Sequence, residues 1–285
     1  MPAAIYSEYM TTPSETRNLA LFCDFENVAL GVREAKYALF NIGLVLERLL
    51  LKGSIVVKKA YCDWDRYKDF KAGMHEASFE LIEIPHVRMS GKNSADIRMV
   101  VDALDLCYTK SHVDTFVIIS GDSDFSPLVS KLRENNKTVI AVGVKNSTSN
   151  LLIANCDEFI FYDDLVREQK GTAKRSEKRP ARSKAAATAQ ATPAAPAEDK
   201  DGKKQEAYDL VLATTEALSA ERGAEDKIWG SMVKQALKRR NPGFSESYYG
   251  FKSFNQLLEE AATRNLLVLE RDEKSGGYIV RSASH

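Results

Sequence analysis

The sequence predicts an α/β fold, an open, mostly parallel sheet with helices on both faces, followed by a small C-terminal winged-helix domain. Three observations carry this. Short, continuous apolar runs of strand length alternate with segments of helical period through residues 18–167. Residues 168–204 are Ala, Lys, Arg, Thr and Pro with almost no large apolar side chains. From 205 to 283 the order changes to helices followed by one hairpin.

The first strand is LALFCDF, Leu19 to Phe25, an uninterrupted apolar run closing on an acid, as expected of a strand buried on both faces. In NIGLVLERLLLKG, Ile42, Val45, Leu46, Leu49 and Leu50 recur at helical spacing and Gly53 supplies a C-cap. SIVVKKAYC and FELIEIPHV are the second and third strands, with helical DRYKDFKAGMHEA between them. After GKNS, the segment ADIRMVVDALDLC places Ile97, Val100, Val101 and Leu104 on one helical face. DTFVIIS, DFSPLVSKLREN, KTVIAVGV, STSNLLIANC and EFIFY continue the alternation that a parallel sheet covered on both faces requires. Residues 168–204 cannot bury enough apolar surface to offset their ordering entropy, so a flexible basic linker is expected there. In the C-terminal part YDLVLATTEALSA is helical, Met232, Val233, Ala236 and Leu237 form the stripe of a second helix, and Phe254, Leu257, Leu258 and Ala261 that of a third. LLVLERDEKSGGYIV then reads as two short strands around a polar glycine turn.

At 285 residues the chain can bury two separate cores. Its formal net charge is zero, but Lys170 to Lys184 carries seven basic residues against Glu177, so the folded parts are together acidic. Cys23, Cys62, Cys107 and Cys156 are widely spaced within apolar stretches, which excludes a Cys-x-x-Cys metal site and suits reduced core thiols. The N-terminus lacks a basic start followed by an apolar run, and no apolar stretch approaches the roughly 18 residues of a membrane span. A soluble cytoplasmic protein with no membrane partner is expected.

Functional residues of an open parallel sheet collect at the carboxyl ends of the strands. Asp24 ends the first strand and Asp122 follows the fourth, so both should face that crevice. Asp124 stands where the next helix begins; as an N-cap it would contribute about 1 kcal/mol, but capping does not account for Asp24, Asp96 and Asp122 together. Asp96 opens its helix, where an acid also favours the helix dipole. Asp102, six residues on, points about 120° away around the helix and carries less weight. Carboxylates converging in a low-dielectric crevice repel one another, and a divalent cation relieves this. Oxygen-only ligands favour a hard ion, Mg²⁺ or Mn²⁺, of the kind that activates water and neutralises charge in phosphodiester hydrolysis. Asn27 and Ser120 beside these acids either orient a ligand or satisfy turn backbone. Gly121-Asp122-Ser123 is not a serine-hydrolase motif, because the only later histidine is His285. A haloacid-dehalogenase phosphatase would need Asp two residues after Asp24, where this chain has Glu26.

With LFCDFENV, KNSADIRMVVDAL and VIISGDSDFSPLVSKLRENNKTVIAVG in hand, the chain resembles the LabA-like NYN domains of the PIN-like nuclease superfamily. The family's opening Asp-x-x-Asn falls on Asp24 and Asn27, its helical acids on Asp96 and Asp102, and its Ser-Gly-Asp-x-Asp-Phe on Ser120 to Phe125. Lys92-Asn93-Ser94 departs from the small and hydrophobic residues that usually precede the helix-opening Asp. The resemblance implies a PIN-like fold and metal-dependent RNA cleavage by Asp24, Asp96, Asp122 and Asp124; it also allows a homodimer. GSMVKQALKRRNPGFSESYYGFKSFNQLLEEA and GGYIV resemble an OST-HTH/LOTUS domain, which implies RNA binding or, in some members, protein binding. Lys234 and Lys238 lie one turn apart with Arg239 and Arg240 adjacent, a face suited to phosphate contacts or simply to solvent, and Lys92 is a further basic candidate. Phe244, Tyr248, Tyr249 and Phe251 either stack on bases or build the core, with Phe251 and Phe254 assigned to the core. The expectation is a ribonuclease with an RNA-recruiting C-terminal domain; a non-catalytic RNA-binding adaptor and a metal-dependent phosphatase are the alternatives.

Overall fold

Successive side chains leave a strand on opposite faces, and β1 (Asn18–Asp24) uses both: Leu19, Leu21 and Cys23 enter one core, Ala20 and Phe22 the other. The structure, a computed structural model, describes residues 17–37, 39–84, 94–177, 198–222, 227–272 and 276–282. Around β1 lie β2 (Ser54–Cys62), β3 (Glu80–Glu83), β4 (Thr115–Ile119), β5 (Thr138–Gly143) and β6 (Glu158–Phe161). The sheet order is β3-β2-β1-β4-β5-β6, and every neighbouring pair is parallel. The chain turns from one half of the sheet to the other between β1 and β4, where adjoining strand ends open into a crevice.

The connecting helices divide between the faces. Val28 and Val32 of α1 (Phe25–Glu34), Val45 and Leu49 of α2 (Ile42–Leu50), Met74 of α3 (Lys68–Glu76) and Leu165 of α7 (Tyr162–Glu177) fill one core. Met99, Ala103 and Cys107 of α4 (Ser94–Thr109), Leu128, Val129 and Leu132 of α5 (Ser126–Glu134) and Leu152 of α6 (Asn150–Asn155) fill the other. Phe25 is fully buried between the rings of Phe40, Trp64, Tyr67 and Phe70, which anchors the residue directly after Asp24.

The sequence reading is corrected at several points. Phe25 starts a helix, α1, rather than ending the first strand. The C-cap of α2 is Leu51, and Gly53 serves another purpose: a Cβ there would strike the Arg17 carbonyl. In α4 the apolar face expected to pack inward is partly turned out, with Ile97 and Val101 62% and 55% exposed. Both sides of this helix carry apolar residues, and the set with Ala103 and Cys107 faces the sheet because small side chains fit over bulky Phe22, Tyr61 and Phe116. The expected linker is helical as far as Glu177 and again from Glu198, and residues 178–197 lie outside the described residues.

The C-terminal part contains α8 (Glu198–Arg222), α9 (Gly230–Arg240), α10 (Phe254–Thr263) and an antiparallel hairpin, β7 (Leu267–Arg271) with β8 (Tyr278–Ser282). Tyr208, Val233, Leu237, Phe251, Phe254, Leu257 and Val280 close its core, joined by Phe244 and Tyr249. This unit covers the exposed edge of the six-stranded sheet: the Phe159 amide of β6 donates to the Pro242 carbonyl at 3.0 Å. Edge strands present unpaired backbone groups that otherwise recruit other chains.

Candidate active site

The register of β1 on β4 pairs Cys23 with Ile119, so the next residues, Asp24 and Ser120, emerge side by side. Asp24 caps α1 by accepting from the Asn27 amide at 3.3 Å, and its other oxygen accepts from the Ser120 hydroxyl at 3.0 Å. Asn27 turns its side-chain carbonyl to the Gly121 amide at 2.9 Å, and Ser120 Oγ also accepts from the Asp122 amide at 3.2 Å. Asn27 and Ser120 therefore brace the two strand ends against each other. Gly121 has no room for a side chain, because Ser147 and Thr148 press against its Cα.

Asp122 caps a single 3-10 turn, Ser123–Phe125, by accepting from the Asp124 amide at 3.0 Å. The capping role expected of Asp124 thus belongs to Asp122, and the Asp124 side chain is exposed. Asp96 lies in the first turn of α4. Asp102 is engaged elsewhere: it accepts from Tyr61 Oη at 2.9 Å and Arg98 Nε at 3.0 Å, and Lys59 lies 3.5 Å away.

Asp24, Asp96 and Asp122 line one crevice of about 330 Å³ together with Glu26, Asn27 and Asp63. Glu26 and Asp63 are functional candidates that the sequence reading passed over. Asp63 had a readable signal, since it follows the second apolar strand as Asp24 ends the first. Burial pushes the Asp24 carboxyl up to about 7, with Asp96 and, less strongly, Asp122 adding to the shift against the hydrogen bonds from Asn27 and Ser120. Burial also raises Asp96 to about 6, reinforced by Asp122, Asp124 and Glu26. Among the described residues none of the ion pairs involves Asp24, Asp96, Asp122 or Asp124. Glu26, on the same crevice, is the acid with a basic partner, Arg66 at 3.3 Å.

This donor set fits a hard divalent cation: oxygen ligands only, like charges across an open crevice, and one carboxylate nearly buried. Among the described residues no three His, Cys, Asp or Glu stand close enough to form a ready metal cage.

The basic candidates are dispersed. Lys234 pairs with Glu246 at 2.7 Å, Lys238 lies 3.7 Å from Glu158, and the Arg240 guanidinium donates to the Ala213 carbonyl at 3.3 Å. Arg239 is exposed, and Lys92 lies outside the described residues. No helix among the described residues is long and apolar enough to cross a membrane.

Comparison with known proteins bears on the α/β part. The chain is 25% identical over 150 residues to "Meiosis regulator and mRNA stability factor 1" of Xenopus tropicalis, covering 53% of this chain and 9% of that protein. It is 32% identical over 119 residues to an uncharacterized protein of Methanocaldococcus jannaschii, covering 40% of this chain and 45% of that one. The chain thus spans less than half the length of each of these relatives. A solved structure, a protein of unknown function from Vibrio parahaemolyticus, is 28% identical with a TM-score of 0.48, covering 54% of this chain and 97% of that one. Residues 18–163 match the NYN domain model, and the chain belongs to this family, whose fold is that of the PIN-like nucleases.

Proposed function

We propose that the protein is a metal-dependent ribonuclease whose site is built from Asp24, Asp96, Asp122 and Asp124, with the C-terminal LOTUS-like domain recruiting RNA. The carrying observation is the convergence of Asp24, Asp96 and Asp122, from three separate chain segments, on one crevice, with Asp124 close enough to raise Asp96 and none of the four in an ion pair among the described residues. Anions facing a phosphodiester are a liability for a simple RNA binder, and they gain a purpose once a cation lies between. The nuclease fold of the family and a relative named for mRNA stability support RNA as the substrate.

Asp24, Asp96 and Asp122 would hold Mg²⁺ or Mn²⁺, with Asp124 at the crevice mouth. When bound, such an ion supplies Lewis acidity to the scissile phosphodiester and lowers the pKa of water. Ser120 and Asn27 hold Asp24 in place through their hydrogen bonds to its two oxygens. The domains we assign are 18–167 for the nuclease part and 205–283 for the RNA-recruiting part.

End-labelled single-stranded RNA incubated with wild type or Asp124→Asn, in Mn²⁺, Mg²⁺ or EDTA, tests this. We expect cleavage only with metal and only by wild type, with circular dichroism unchanged in the variant. Wild-type cleavage by Asp124→Asn would remove that residue from the site. RNA that is bound but never cut would favour the adaptor reading.

A further inference from the structure

A second cleft of about 330 Å³ opens where the C-terminal unit meets the α/β domain, lined among others by Lys145, Phe161, Arg240, Asn241, Tyr248 and Tyr249. Its composition differs from that of the acidic crevice. Lys145 Nζ sits 3.3 Å from the centroid of the Tyr248 ring, and the Arg167 guanidinium and Lys203 ammonium lie 5.8 Å and 5.7 Å from the same centroid. Three cations thus surround one aromatic ring, of which Arg167 is also paired with Asp164 at 2.9 Å; Lys145 and Arg240 line the cleft itself, together with one carboxylate, Glu206, which accepts from Tyr249 Oη at 3.3 Å. Tyr249, Phe244 and Phe251 are buried in the C-terminal core, whereas Tyr248 remains partly exposed and edge-on to Tyr249.

The cleft is mechanically continuous with the acids. Lys145 begins a 3-10 turn, Lys145–Ser147, that follows β5. The same stretch packs on the loop before Asp122: the Ser149 amide donates to the Gly121 carbonyl at 2.9 Å, and Ser147 fills the space beside Gly121. The turn therefore joins the cleft, which Lys145 lines, to the loop that carries Asp122. Neighbouring strands are about 4.8 Å apart, so the end of β6 lies roughly 10 Å from that of β4, within reach of a short strand.

Resting on the ribonuclease reading, we infer that this junction is a second RNA subsite that seats one nucleotide of the strand beyond the cleavage position. The base stacks on the Tyr248 ring, and its phosphate lies between Lys145 and Arg240. The Lys145 ammonium now occupies the ring face at stacking distance. An incoming base takes that face while the ammonium moves to the phosphate, so one cation–π contact is exchanged for a stack and an ion pair. Stacking is indifferent to base identity, so the subsite holds RNA without strong sequence preference. The subsite takes residues from both parts of the chain, and neither part alone contains it.

The test is fluorescence anisotropy with a labelled oligouridylate of about 12 nucleotides, in EDTA, using full-length wild type, Lys145→Gln, Tyr248→Leu and Tyr248→Phe. We expect Tyr248→Leu to weaken binding about fivefold or more, with Tyr248→Phe close to wild type because the ring is kept. Lys145→Gln should lower the slope of log affinity against log salt by about one. Lys145 is exposed, so that variant reports binding even if Tyr248→Leu disturbs the junction. Wild-type affinity and salt slope in both Lys145→Gln and Tyr248→Leu, with wild-type protein still cleaving RNA, would overturn the subsite and leave the nuclease standing. Wild-type protein that neither binds nor cleaves RNA would instead overturn the function beneath it.

Discussion

Replacing Asp24 with Asn removes the most heavily penalised charge in the crevice. Asp24 is 7% exposed, and its carboxyl is raised from 3.8 to about 7, chiefly by burial and then by Asp96. Between those values the native chain keeps a proton that the unfolded chain has released. Stability contributed through this group therefore falls as pH rises from about 4, and the full penalty is in force above about 7. At about 1.36 kcal/mol per unit, a shift of roughly three units corresponds to roughly 4 kcal/mol. Water entering the open crevice and small relaxations of the loops reduce this, and on the order of 2 kcal/mol is expected. The amide carbonyl of the variant can still accept from the Asn27 amide or the Ser120 hydroxyl, so one of the two hydrogen bonds that Asp24 accepts is kept and the other is lost. Urea unfolding in EDTA should show Asp24→Asn more stable than wild type by that amount near pH 8 and equal to it near pH 4. Adding Mg²⁺ or Mn²⁺ should stabilise wild type near pH 8 and leave the variant almost unmoved, because a ligand stabilises only the state that binds it. A wild-type-minus-variant difference that stays flat with pH would refute the electrostatic account of Asp24.

The other predictions concern geometry. Gly121→Ala places a methyl against Ser147 and Thr148, and we expect a loss of about 1–3 kcal/mol in urea unfolding together with loss of RNA cleavage as the Asp122 loop shifts. On α4 the two faces should respond oppositely: Val101→Lys, at 55% exposure, should change stability by less than about 0.5 kcal/mol. Met99→Ala, fully buried, should lose about 2–5 kcal/mol. A Val101→Lys loss larger than that of Met99→Ala would show that α4 packs as the periodicity alone suggests.

Part of the candidate site's geometry is legible because parallel sheets make it so. LALFCDF and DTFVIIS are apolar runs ending in polar residues, and the rule that strand ends carry function then places Asp24 and Asp122 together without further information. What was hidden lay where two physical signals overlap. Phe25 continues the apolar run of β1 and also opens α1, so periodicity could not locate the boundary. In α4 the apolar residues occupy more of the circumference than one face, and the choice was made by the volumes of Phe22, Tyr61 and Phe116 beneath it, which no local pattern contains. Asp122 and Asp124 are both plausible caps, and only the backbone turn decides that Asp122 accepts and Asp124 is free to point outward.

The position of the C-terminal unit alters what its basic helix can do. A solvated face bearing Lys234, Lys238, Arg239 and Arg240 would present four charges to a phosphate backbone. Here Lys234 is committed to Glu246, and Lys238 approaches Glu158, a carboxylate that Lys52 already holds at 2.8 Å. An RNA strand laid along α9 would have to compete with these carboxylates for two of its four cations, and counterion release would be correspondingly small. At the junction Lys145 has a ring to exchange for a base, and Arg240 lines the same cleft, with Glu206 as the carboxylate there. Docking on β6 covers a vulnerable sheet edge, and under the proposed subsite it moves the RNA path from the outer face of α9 to the seam. Arg240→Gln should therefore weaken RNA binding more than Arg239→Gln, although the two charges are adjacent in sequence, and equal effects in the anisotropy measurement would return the path to the open helix face.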